Sequence, residues 1–156
     1  MGKGRIELFK KDNKNHLESL NRFIKDNKDI ALDLNSMLET QSNDNELNEY
    51  LLYIENDCIK DICHINSLKD IKMSTISLPI KSPKTKKIII YATNYAIESL
   101  NMKQVFIKVS KDDKQTQNYL REEGYEDLGI ENDYIIFLKE VYEDINKTSV
   151  NNINRS

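Results

Sequence analysis

The feature that most constrains the fold is the run from Ile71 to Lys139, where strands and helices alternate with clear punctuation. Ile71 to Ile80 reads as a strand, with Pro79 marking where pairing stops or becomes irregular. Ser82-Pro83 then supplies a capping hydroxyl and a proline at the first helical position. The helix predicted there runs to about Leu100. Ile88, Ala92, Tyr95, Ala96 and Ser99 share one of its faces, and the small residues permit close packing on a sheet. Gln104 to Val109 is a strand and Asp112 to Glu123 a polar helix. Gly124 is placed to end that helix in the left-handed conformation, and Tyr134 to Leu138 is the last strand.

The N-terminal half completes the pattern. Ile6 to Phe9 alternates apolar and charged residues, which suits a short strand. Leu17, Leu20, Phe23 and Ile24 recur at helical spacing over Asn15 to Asp26. A second helix carries Ile30, Leu34, Met37 and Leu38 on one face, with Asp29 as its cap. Residues 40–45 form a polar loop. Glu49 to Ile54 and Cys58 to Ile65 pair as a hairpin through Asn56-Asp57, and Asn66 to Asp70 turns the chain into the next strand. The order is β-α-α-β-β-β-α-β-α-β. The expected fold class is α/β (α+β): a mixed, mostly antiparallel sheet with helices on both faces. One domain, residues 1–142, is expected, followed by a polar, disordered tail over 143–156.

Composition excludes several classes. The net charge of -3 argues against a nucleic-acid binder that works through bulk positive charge. No apolar run approaches the roughly 20 residues that span a bilayer, so no membrane partner is expected. Met1 to Arg5 has no apolar segment behind it, so no secretory signal is expected, and two cysteines are too few for a disulfide framework. A cytoplasmic location is the resulting expectation.

The turn Lys81-Ser82-Pro83-Lys84-Thr85-Lys86-Lys87 is the strongest pointer to function. Lysines in a first helical turn oppose the positive end of the helix macrodipole. Such a misfit points to an anionic partner. The alternative is a solvated helix start in a lysine-rich chain.

The second half of the chain resembles the GNAT superfamily of acyl-CoA-dependent N-acetyltransferases. Val105-Phe106-Ile107-Lys108-Val109 is similar to that family's fifth strand. Tyr119 to Tyr125 (YLREEGY) is similar to its closing LYEKLGF pattern, and Phe137-Leu138-Lys139 to its last strand. The resemblance covers roughly residues 5–140. It implies acetyl-CoA as co-substrate, a primary amine of unknown identity as acceptor, and a gap where the strands flanking the central helix splay apart. It implies main-chain contacts to the cofactor from Ser77, Leu78 and Ile80, and a pyrophosphate turn over Lys84, Thr85, Lys86, Lys87 and Ile88.

Two departures from the family pattern stand out. Where the family has Gln/Arg-x-x-Gly-x-Gly/Ala, Lys84 takes the leading position, and Lys87 and Ile89 replace the small residues. Lysine side chains compensate as point charges, or the cofactor site has decayed. The family's frequent tyrosine four residues before the closing glycine is Leu120 here, beside Tyr119. Tyr119 is the candidate acid for the departing thiolate, and Asp113 corresponds to a frequent asparagine at the start of that helix.

His64 is the candidate base, because a neutral imidazole titrates near neutrality; the bland alternative is a histidine lying on a sheet face. Cys58, Cys63 and His64 lack a fourth ligand at sensible spacing, so no metal is expected, and Cys63 reads as a small core residue. The resemblance leaves two readings: an N-acetyltransferase, or a catalytically inactive domain of the same fold used for binding or regulation. Open sheet edges make a homodimer a further expectation.

Overall fold

The structure is a computed structural model that describes residues 4–27, 34–39, 43–79 and 85–141. Seven strands form one sheet: β1 (Arg5–Leu8), β2 (Glu46–Glu55), β3 (Cys58–Leu68), β4 (Met73–Ser77), β5 (Gln104–Ser110), β6 (Glu126–Glu131) and β7 (Tyr134–Glu140). The helices are α1 (Lys14–Asp26), α2 (Leu34–Glu39), α3 (Thr85–Asn94) and α4 (Lys114–Glu122). The sheet order is β1-β2-β3-β4-β5-β7-β6; β4 and β5 run parallel and the other pairs antiparallel. The expected mixed, mostly antiparallel class is the one observed.

Local chemistry explains the element ends. Asn56 and Asp57 both adopt positive φ, 54° and 62°, which gives the tight turn whose twist matches its flanking strands. The Asn13 carboxamide accepts from the His16 N–H and Asp113 from the Thr116 N–H, so each caps a helix start. Gly124, at φ +89°, ends α4 as anticipated, and the Lys139 ammonium donates to the orphaned Glu123 carbonyl at 2.6 Å.

The sheet buries both faces. On one, α3 and α4 cover Leu51, Tyr53, Cys63, Ile65, Ile76, Val105, Ile107 and Phe137. Ile88, Ile89 and Ala92 of α3 and Leu120 of α4 are fully buried there. On the other, Leu20 and Phe23 of α1 and Met37 of α2 pack on Leu52, Ile54, Ile59 and Ile62.

Several boundaries differ from expectation. β2 begins at Glu46 and β3 continues to Leu68, so the predicted turn at 66–70 moves to Lys69–Lys72. The predicted single helix to Leu100 becomes α3 followed by a π-helical turn, Tyr95–Ser99. That wider turn carries Ser99 out of the predicted buried stripe, while Ala92 and Ala96 stay in it. β6 was absent from the expected order. Asp29, Ile30, Ser82, Pro83 and the tail 143–156 lie outside the described residues.

Candidate active site

The ladder between β4 and β5 ends early. Its pairs run from Met73–Gln104 to Ile76–Ile107. Both strands continue on their other sides, Ser77 pairing with His64 of β3, and Lys108, Val109 and Ser110 pairing with β7. Among the described residues no β4–β5 pair follows Ile76–Ile107, a gap in the ladder that leaves main-chain groups at its rims without partners across it. On the face covered by α3 and α4, Ile76, Ile107 and Val109 are buried; on the face that carries α1 and α2, Ser77 and Lys108 are exposed.

The predicted cofactor residues divide around this gap. Ser77 and Leu78 sit at its β4 rim. Ile80 and Lys84 lie outside the described residues. Thr85, Lys86, Lys87 and Ile88 form the first turn of α3, and their side chains diverge. Thr85 and Ile88 point into the core at 1% and 0% exposure. Lys86 turns toward α4, where its ammonium bonds Glu122 at 2.7 Å and lies 5.5 Å above the Tyr119 ring. The carboxylate raises the Lys86 pKa. Lys87 turns the other way, 5.9 Å above the ring of Tyr53 on β2. Ile89 is fully buried in the core.

The two predicted catalytic residues fall on opposite faces of the sheet. Tyr119 lies on α4 against Lys86, on the helix-covered face; its neighbour Leu120 is fully buried. His64 is on the other face, because adjacent strand residues alternate. That alternation also separates His64 from Cys63, whose thiol is buried in the α3 core and pushed well above its ordinary pKa by desolvation. The pair therefore cannot share a metal from one face.

His64 sits in a polar network that sequence reasoning missed. Its ring stacks on Tyr50 at 4.6 Å, and its Nε2 is 3.0 Å from Asn48 Oδ1. Asn66 Nδ2 donates to the same Asn48 oxygen at 2.8 Å and to Glu46 Oε2 at 2.6 Å. Burial lowers the His64 pKa, and the Glu46 carboxylate opposes that shift. The signal was present in the sequence: polar residues at every second position in Glu46, Asn48, Tyr50 and in His64, Asn66. It was lost by starting β2 at Glu49.

A second polar cavity, of about 520 Å³, is lined by Arg5, Glu7, His16 and Arg22 at the β1 edge, three strands from β4. His16 is fully engaged there: Nδ1 accepts from the Lys10 N–H at 3.1 Å and Nε2 lies 2.8 Å from Glu7. It has no lone pair left for chemistry.

No family model matches the sequence, and no curated protein matches it. Solved structures do match the fold. The Campylobacter jejuni N-acetyltransferase PseH in complex with acetyl coenzyme A superposes with a TM-score of 0.63 at 15% identity, covering 89% of this chain and 99% of that one. The Vibrio cholerae spermidine/spermine N-acetyltransferase SpeG, in complex with manganese ions, gives 0.66 at 11% identity over 93% and 96% of the two chains. A dodecameric V. cholerae spermidine N-acetyltransferase gives 0.65 at 8% identity over 88% and 93%. Similarity at this level establishes architecture, and it does so over nearly whole chains on both sides. With its single parallel β4–β5 pair splayed beyond Ile76 and helices on both faces, the chain has the GNAT fold.

Proposed function

We propose that this protein is an N-acetyltransferase that moves the acetyl group of acetyl-CoA to a primary amine. The observation that carries the reading is the premature end of the β4–β5 ladder at Ile76–Ile107. The rims of that gap offer main-chain groups that an extended thioester arm can bond in place of a neighbouring strand. In this reading Ser77, Leu78 and Ile80 hold the arm. The first turn of α3, Thr85 to Ile88, faces the pyrophosphate with helix N–H groups and lysine charge, and Lys84 is assigned to the same contact.

The amine nitrogen bonds to the acetyl carbon, the carbonyl electrons move onto oxygen, and rim N–H groups stabilise that oxyanion. Collapse breaks the carbon–sulfur bond, the nitrogen gives up its extra proton, and Tyr119, on the α3/α4 side of the sheet, protonates the departing thiolate and regains its proton from solvent. Positioning of the two reactants supplies much of the rate.

The second reading is a non-catalytic binding or regulatory domain. Lys87, Ile89 and Leu120 favour it, since they replace the small residues and the tyrosine of the family pattern. Cytoplasmic placement and self-association through a sheet edge such as β6 belong to the same proposal. No helix among the described residues is long and apolar enough to cross a membrane.

Thiol release from acetyl-CoA across a panel of mono-, di- and polyamines decides between the readings. Amine-dependent release that falls sharply in Tyr119→Phe supports the enzyme. Tight acetyl-CoA binding without release for any amine supports the binding domain.

A further inference from the structure

We infer that His64 accepts the proton of the attacking amine through Nδ1, and that Asn48 is the positioning residue that keeps this nitrogen unprotonated. The inference rests on the acetyl-transfer reading and adds to it the face of attack and the proton acceptor.

Hydrogen-bond direction fixes the tautomer. A carboxylate oxygen only accepts, so the Asn66 atom facing Glu46 at 2.6 Å is its amide nitrogen. That same nitrogen faces Asn48 at 2.8 Å, so the Asn48 atom there is its carbonyl oxygen. That oxygen in turn can only accept from His64 Nε2 at 3.0 Å. The proton of the neutral imidazole is therefore on Nε2, and the Nδ1 lone pair has no partner among the described residues. The orientation runs from Glu46 through Asn66 and Asn48 to the ring, and Tyr50 stacked on that ring restrains its plane.

Placement supplies the second half. His64 pairs directly with Ser77, the first β4 residue beyond the last β4–β5 pair. Directly opposed residues share a sheet face with Cβ atoms about 5 Å apart. The His64 backbone thus stands one strand from the gap, with its ring held over β2 by Tyr50 and Asn48. On the other face Ile76, Ile107 and Val109 are buried beneath α3 and α4, the side the proposed reading gives to the cofactor, so the acceptor is assigned the face where Ser77 and Lys108 are exposed.

Among the described residues the charged groups on this face include Glu46 on β2, Lys108 on β5, Glu140 on β7, Glu126 on β6 and, 3.7 Å from Lys108, Glu131 on β6. Lys10 and Lys11 lie beyond Tyr50. Among these groups only a neutral imidazole both presents a lone pair and titrates near neutrality.

The chemistry balances without another reactant. As the amine nitrogen bonds to the carbonyl carbon it gains positive charge, and its N–H becomes far more acidic. That proton passes to Nδ1, directly or through one water, and is then lost to solvent. A base weakened by burial suffices at this stage.

The test uses the full chain labelled with ¹⁵N-histidine. Long-range ¹H–¹⁵N correlations should show both histidines as Nε2–H tautomers, with His64 assigned by its absence in His64→Gln. Saturating acetyl-CoA should shift the His64 Nδ1 resonance and leave His16 unmoved. In thiol release with the amine panel, His64→Gln should lower kcat by roughly 100-fold or more, as loss of a general base does, while keeping the melting shift produced by acetyl-CoA.

Asn48→Ala should keep fold and cofactor binding but lose the tautomer preference. Asn48→Asp should move the acid limb of the kcat/KM profile to higher pH, because a carboxylate beside the ring favours the imidazolium. A merely structural Asn48 would not move that limb. An Nδ1–H tautomer, an unmoved His64 signal in the acetyl-CoA complex, or His64→Gln turnover within threefold of wild type overturns the inference alone. Absence of acetyl-CoA binding overturns the acetyl-transfer reading and this inference with it.

Discussion

Buried hydroxyl groups set the energetics at the level of single residues. Thr93 on α3 and Tyr125 after α4 share a 2.5 Å hydrogen bond in the core. Burial pushes the Tyr125 pKa far up, and the bond to Thr93 only partly offsets this. Removing one partner strands the other, which costs about 1–3 kcal/mol; removing both strands neither. Tyr125→Phe and Thr93→Val should each lower stability by that amount, and the double variant should lose less than the sum, as read by urea unfolding.

Glu7 gives a pH-dependent counterpart. His16 first, then Arg5, hold its carboxyl below the ordinary value near 4.5. A depressed folded-state pKa stabilises the fold above the unfolded value and loses that contribution as pH falls through the folded value. The stability advantage of wild type over Glu7→Gln should therefore be constant above about pH 5 and shrink in more acid solution. An advantage that grows in acid would contradict the assignment.

Elements show what local sequence could and could not reveal. α1 and α4 were legible because apolar spacing and caps agree: Leu20 with Phe23 behind Asn13, and Leu120 behind Asp113 with Gly124 after it. β6 was not. Glu126 to Glu131 is exposed throughout, so it carries no buried alternation, and Gly129 at φ +113° sits where its ladder with β7 shifts register. β7 supplies the partner bonds instead, and pairing of that kind is invisible in one segment. The π-helical turn was hidden too, since Tyr95 has the spacing of an α-helical stripe. Its hydroxyl donates to both Glu49 oxygens, at 2.7 and 2.8 Å, a contact with β2 that no local pattern encodes.

The splayed pair makes an element-level prediction. Amides at Ser77, Leu78 and Lys108 to Ser110 should include fast exchangers in the free protein, and acetyl-CoA should slow them. Amides of the β2–β3 hairpin should stay unchanged. Protection confined to α1 or β1 would place the ligand elsewhere.

At the scale of the whole molecule, the fold divides its labour between two faces. One packs α3 and α4 on a continuous apolar core. The other packs α1 and α2 on β2 and β3, and on it Ser77 of β4 and Lys108 of β5 are exposed among the described residues. In the proposed reading a thioester arm in the gap has the first turn of α3 on one side and His64 on the other. The β-α-β frame could be read from the sequence, in which His64 and Tyr119 were the candidate catalytic residues. The sequence could not show that they face opposite sides, nor that Asn48 and Glu46 stand behind His64. Those facts depend on register, and one residue of slip reverses every side chain.

The melting temperature of the full chain with increasing acetyl-CoA tests the central claim most directly. At 100 times its dissociation constant a ligand bound only to the folded state adds about 2.7 kcal/mol. For a chain of this size that corresponds to an increase of roughly 5–10 °C. Such a rise is expected, saturating at one site per chain and weakened by the double substitution Lys86→Gln, Lys87→Gln. A melting temperature unmoved by millimolar acetyl-CoA would show that the gap beyond Ile76 does not hold the thioester.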